Sequence, residues 1–193
     1  MARAFIGARR SGAYYRVCKP EWHDCSDTAY AKANGARWNP RGRFGALYLC
    51  ATIEVAATNA RNQHTGRAIG LFSLRPERRP QLQRFDVSLV RYADIVSAEG
   101  VAAAGLPADY PYDVGWQRCQ PIGAAVYDVG MPGIACRSAA ECTKTSWLGE
   151  ELAVFDSAAR PKAAGRRRAF ADWYPDLIPV THEASQTIPR KTR

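Results

Sequence analysis

Short apolar runs recur along this chain between stretches rich in turn residues. Residues 13–18 (AYYRVC) combine aromatic and β-branched side chains and read as a strand, and Ala46–Cys50 (ALYLC) reads as another, with a long turn-rich loop between them. From Thr52 the pattern changes to helical spacing, through Glu54, Val55, Ala56 and Asn59 to about Asn62, with Thr52 as N-cap and Gly66 marking the exit. Residues 69–74 and 83–87 look like strands joined by a polar connection between Pro76 and Pro80. A short helix over 97–104 closes at Gly105, and a longer one is expected over 120–129, with Pro121 in its first turn and Gly130 as its stop. After the turn Met131-Pro132-Gly133, residues 134–137 and 150–156 return as strands. This order predicts an α+β fold without internal repeats.

Beyond residue 158 the chain turns basic and polar. Phe170, Trp173 and Tyr174 are expected to dock the stretch 169–177, whereas 185–193 has little to bury and is expected to be disordered. With 193 residues, 47% of them hydrophobic and 23% charged, the composition is that of one globular domain with a tail. No apolar run is long enough to span a bilayer, and Arg3, Arg9 and Arg10 are followed by no signal-peptide core, so a cytoplasmic address and no membrane partner are expected.

That address bears on the six cysteines, at 18, 25, 50, 119, 136 and 142, which read as buried reduced thiols. Cys18, His23 and Cys25 lack the CxxC pair that would complete a zinc site, so no metal is expected. The net charge of +9 suits a nucleic acid, an acidic protein or a phosphate-bearing small molecule. Nucleic acid is the least favoured, because no zinc finger, RNP motif or helix-turn-helix pair accompanies the arginines at 160, 166, 167 and 168. His23, His64 and His182 stand without a G-x-S-x-G elbow, which disfavours a Ser-His-Asp hydrolase.

The candidate chemistry lies in four elements taken together. They are a strand with Tyr15-Arg16-Val17, a loop Gly35-Ala36-Arg37-Trp38-Asn39-Pro40, a strand Leu47-Tyr48-Leu49, and the helix directly after it. With Trp116, Cys119–Ala125 and the run from Pro132 to Ala139, this arrangement resembles the RES domain family from about residue 13 to residue 156. The resemblance implies an ADP-ribosyltransferase-like fold, with central mixed β-sheets flanked by helices, over residues 1–158, followed by a basic C-terminal segment over 159–193. It also implies a toxin of a toxin–antitoxin system that takes NAD as its substrate, by NAD glycohydrolysis, NAD phosphorolysis or ADP-ribosylation, with an Xre-type antitoxin as partner. Homo-oligomer formation stays open.

On that resemblance Arg16 and Arg37 would hold the pyrophosphate as guanidinium forks, and Tyr48 would wall the base. Ser138 would bond a ribose or phosphate oxygen, and Gln117 stands where some RES phosphorylases carry an active-site serine. The family's glutamate, eleven residues beyond the strand tyrosine, is replaced here by Asn59. An asparagine bonds a ribose hydroxyl but supplies no charge to an oxocarbenium-like state. Glu54, five residues earlier, is turned away by roughly 140° on a helix. Two readings follow: an enzyme with Arg16, Asn59 and Ser138 at the reacting bond, or a catalytically impaired RES fold that binds a nucleotide or a partner.

Overall fold

A strand with apolar side chains on both faces has to be covered on both, and Ala46–Cys50 (β2) accordingly runs through the interior, four of its five residues buried. The structure, a computed structural model, describes residues 4–174. Around β2 it builds a mixed sheet from β1 (Gly7–Cys18), β3 (Gln81–Ile95), β4 (Gly133–Arg137), β5 (Glu150–Phe155) and β6 (Lys162–Arg168), in the order β1-β2-β5-β4-β3-β6. β3 and β4 run parallel; every other pairing in this sheet is antiparallel.

The sheet curls on itself, because β1 pairs along its whole length with β3, from Gly7 opposite Ala93 to Cys18 opposite Gln81, and also meets β2 at Tyr15 and Cys50. Inside the curl Tyr14, Leu47, Leu49, Phe85, Leu152 and Val154 form one core. On another side α3 (Ala98–Ala103), α4 (Trp116–Asp128) and the loop with Trp38 and Phe44 cover Ala46, Ile134, Ala153 and Phe155. A third cluster joins α2 (Ile53–Asn62) to α5 (Phe170–Trp173) through Val55, Ala56, Leu82, Phe170, Trp173 and Tyr174. The remaining helix, α1 (Ala29–Asn34), leads into the loop before β2.

Locally encoded elements fall where the pattern puts them. Thr52 Oγ1 accepts from the Val55 N–H at 3.3 Å, and Ser97 Oγ accepts from the Gly100 N–H at 3.0 Å, so α2 and α3 both start on side-chain caps. Four expectations are corrected. Residues 69–74 form no strand: Leu71–Ser73 is one turn of 3-10 helix that buries Leu71 and leaves Phe72 exposed, its apolar content serving a turn that packs on α5. The strand expected over 83–87 runs the full fifteen residues of β3, since three neighbours in turn satisfy its backbone. α4 begins at Trp116, capped by the extended backbone of Gly115, so Pro121 lies in the second turn and denies the Gln117 carbonyl its helical donor.

The fourth correction concerns the thiols. Cys18 and Cys25 are joined by a disulfide, their α-carbons 5.9 Å apart, because the chain doubles back after β1 through a turn in which the Trp22 N–H bonds the Lys19 carbonyl at 3.1 Å. Cys50, Cys119, Cys136 and Cys142 are free. Among the described residues no helix is long and apolar enough to cross a membrane. The stretch 185–193, and residues 175–177 of the docking segment, lie outside the described residues.

Two outcomes are expected. Thiol titration of the chain unfolded without reductant should count four reactive cysteines, matching the four free ones; six would show an open loop. At Gly123 a β-carbon would sit 1.7 Å from the Trp38 carbonyl oxygen, so Gly123→Ala should force α4 off the loop. A cost of about 3 kcal/mol, or roughly 10 °C in Tm by calorimetry, is expected; an unchanged Tm would show that the helix shifts freely.

Candidate functional site

Side chains directly opposite each other on neighbouring strands share a face of the sheet, and Glu151 of β5 stands opposite Cys50 of β2 and Cys136 of β4. One step along that face Tyr48 stands opposite Ala153. A carboxylate is thereby set between two thiols at one end of the sheet, beneath α2. Burial first, and then the charge of Glu151, push both thiols well above the ordinary cysteine range, so neither is a ready nucleophile.

α2 lays Asn59 across this row. Its Nδ2 donates to Glu151 Oε1 at 2.9 Å and, more weakly, to Cys50 Sγ at 3.4 Å. Ser138, fully buried just past β4, donates from Oγ to the same Glu151 oxygen at 2.6 Å while accepting from the Ala140 N–H at 3.1 Å. Both donors converge on Oε1, and among the described residues Oε2 has no hydrogen-bond partner. Glu54 is exposed on the outer side of α2, as its spacing from Asn59 requires.

Beside this cradle lies a cleft of ≈ 370 Å³, within the range of small-molecule sites, lined by Glu151, Asn59, Tyr48, Arg16, Arg37 and two tryptophans, Trp22 and Trp116. Arg16 is its most telling member. Its Nη1 is buried without a hydrogen-bond partner, and its guanidinium lies 5.4 Å from the centre of the Trp22 ring. Burial pushes Arg16 down to about 10, against the opposing charges of Asp27 and Asp24, so it stays cationic at neutral pH. A buried donor without an acceptor costs free energy until an acceptor arrives. The disulfide closes the loop that carries Trp22 to this position.

Tyr48 builds the opposite wall. Its hydroxyl accepts the Trp38 N–H at 2.9 Å and donates to Asn39 Oδ1 at 2.9 Å, and Asn39 Nδ2 donates to the carbonyls of Ala31 and Phe44 at 2.7 and 3.2 Å. Burial raises Tyr48 far above the usual phenol range, so the hydroxyl works as a neutral clamp on the loop while the ring faces the cleft. Arg37 is held at the rim by its Nη1 donating to the Val114 carbonyl at 3.1 Å. Gln117 is exposed in the first turn of α4; at this end of the helix it is Trp116 that lines the cleft.

Sequence reading brought Arg16, Arg37, Tyr48, Asn59 and Ser138 forward but missed Glu151. A signal was present. In residues 150–155 the apolar side chains occupy both alternations, so both faces of the strand are covered and each glutamate needs a partner. Glu150 has one in Arg10, through a two-pronged ion pair whose longer arm is 3.0 Å; Glu151 has Asn59 and Ser138.

These residues lie on elements shared with known proteins. The family model of the RES domain matches residues 13–175. The NAD(+) phosphorylases MbcT of Mycobacterium bovis and of Mycobacterium tuberculosis are each 24% identical to this chain over 157 residues, covering 79% of it and 76% of their own length. The crystal structure of the M. tuberculosis MbcT–MbcA toxin–antitoxin complex superposes with a TM-score of 0.67 at 22% identity, over 84% of this chain and 83% of the other, which establishes the shared α+β fold. With its Tyr-Arg strand, its loop, its second strand and the following helix all inside the matched span, this chain belongs to the RES domain family.

Proposed function

We propose that the chain binds NAD in the cleft and cleaves the bond between nicotinamide and ribose, passing the ADP-ribosyl group to phosphate, water or a protein side chain. The observation that carries this reading is the buried, unpartnered Nη1 of Arg16, a cation held ready for an anion inside a cleft with aromatic walls. The mycobacterial relatives named as NAD(+) phosphorylases support the choice of substrate. Arg16, with Arg37 at the rim, takes the pyrophosphate. Tyr48, Trp22 and Trp116 offer ring surface to the bases, and Gln117, exposed beside Trp116 and outside the cleft lining, is kept as a substrate contact on the family resemblance alone. Asn59 faces the ribose end, and Ser138, fully buried and outside the cleft lining, acts there through its hydrogen bond to Glu151.

In the reaction the C–N bond breaks with its electron pair leaving on the nicotinamide nitrogen, which becomes neutral. The positive charge passes to ribose C1′ and O4′ until an oxygen of the acceptor bonds C1′. The protein's task is to stabilise that charge and orient the acceptor. A second reading, a RES fold that binds nucleotide without cleaving it, is favoured by Asn59 standing where the family's glutamate is expected. The solved relative is a toxin bound to its antitoxin, and an Xre-type antitoxin in the cytoplasm is the partner proposed here.

Proton NMR of nicotinamide release, with and without added phosphate, tests the assignment. Wild type should release nicotinamide, and Arg16→Ala should lower kcat/KM by roughly 10- to 100-fold through loss of a charge-assisted contact. Binding of NAD without release would favour the second reading, and absence of binding would remove both. Tyr48→Phe keeps the ring but strands the Trp38 N–H and Asn39 Oδ1, so about 2 kcal/mol of stability should be lost in urea unfolding while release stays within roughly tenfold of wild type.

A further inference from the structure

Positions 59 and 151 touch, and only one of them carries a carboxylate. Asn59 Nδ2 is 2.9 Å from Glu151 Oε1, so an acidic group on either residue reaches the same space between α2 and β5. A glutamate at both would press two carboxylates together at the edge of a buried site, which is unfavourable unless one is neutralised. The amide at 59 and the acid at 151 therefore form a matched pair: the strand holds the acid, and the helix supplies a donor to it.

From this contact we infer that Glu151 is the charge-stabilising catalytic residue of the site, its carboxylate standing on β5 in place of one on α2. The inference rests on the NAD-cleaving reading above. Glu151 is half-buried, so an oxygen left without a protein partner is open to the cleft and is not a buried, stranded atom. Here the donors from Asn59 and Ser138 both converge on Oε1, Oε2 has no partner among the described residues, and the residue lines the cleft that Arg16 enters. Glu151 is also absent from the ion pairs of the described residues, and Arg37, whose guanidinium feels its charge, makes no direct contact with it. Asn59 and Ser138 are positioning residues that fix the carboxylate's rotamer from two sides. As nicotinamide departs with its electron pair, Oε2 faces the positive charge left on C1′ and O4′. When water is the acceptor, its oxygen bonds C1′ and the proton it loses passes to Glu151 and on to solvent; a phosphate dianion attacks with no proton to transfer.

The test compares wild type with Glu151→Gln, Asn59→Glu and the double variant Asn59→Glu/Glu151→Gln, following nicotinamide release by NMR, NAD binding by tryptophan fluorescence, and thermal unfolding. Glu151→Gln should lose roughly 100- to 1,000-fold in kcat, the usual effect of removing one preorganised electrostatic group, with KM within about threefold of wild type. Asn59→Glu alone should be slower than wild type, because it sets two acids against each other. The double variant, which moves the acid to the helix and leaves an amide on the strand, should recover to within roughly tenfold of wild type, a rescue that a merely structural role does not produce. Glu151→Gln with a kcat within about threefold of wild type overturns the inference and leaves the NAD reading standing. So does a folded, NAD-binding double variant no faster than Glu151→Gln, or an Asn59→Glu enzyme faster than wild type. Wild type that releases no nicotinamide overturns both.

Discussion

The site depends on one constraint: β5 lies between β2 and β4 with both of its faces covered, and yet it begins with two glutamates. An acid can enter such a strand only where donors are supplied, and the surroundings of Glu150 and Glu151 are shaped by that need. Arg10, on the part of β1 that reaches across the curl, answers Glu150. Asn59 and Ser138, from a helix and a strand end far apart in sequence, answer Glu151. The bulge between Arg10 and Gly12, the cap that starts α2 and the turn after β4 are thus tied to the same short strand.

The loop before β2 shows the same economy. Asn39 holds it to the end of α1 and to Phe44, Tyr48 fastens it to the sheet, and α4 presses on it at Gly123, where no side chain would fit. Such a loop presents Arg37 from a fixed base, and fixed charges lose no reorganisation energy when a ligand's charge develops beside them. Arg16 differs in kind: it is a strand residue whose guanidinium is desolvated without a partner, held against Trp22 by a covalently closed turn.

What could be read from the sequence was what short segments decide alone. β2 announces itself by five residues that all demand burial, and α2 and α3 by Thr52 and Ser97. Arg16, Arg37 and Tyr48 were legible as a set because their elements follow in a recognisable order, and the cleft brings all three together. The first half of β1 was not legible, since residues 7–12 gain their extended form from pairing with β3 more than seventy residues away. Glu151 left only the faint signal of a strand apolar on both faces, because at the start of that strand it looks like a solvated end until β2 and β4 flank it. The Cys18–Cys25 bond was hidden for the opposite reason: a turn of seven residues brings the sulfurs together, but spacing alone does not distinguish a bridge from two thiols.

Strand order carries a temporal consequence. β5 pairs with strands that begin at residues 46 and 133, and none of the contacts around Glu151 can exist until it has slipped between them. β4 is a near neighbour in the chain, but the pairing with β2, about 100 residues earlier, is of the non-local kind that is slow to form. During synthesis the N-terminal two-thirds can emerge with Arg16, Tyr48 and Asn59 in hand, and still lack the central acid and its serine donor. Competence therefore arrives late, after residue 151 has left the ribosome and the gap in the sheet has closed.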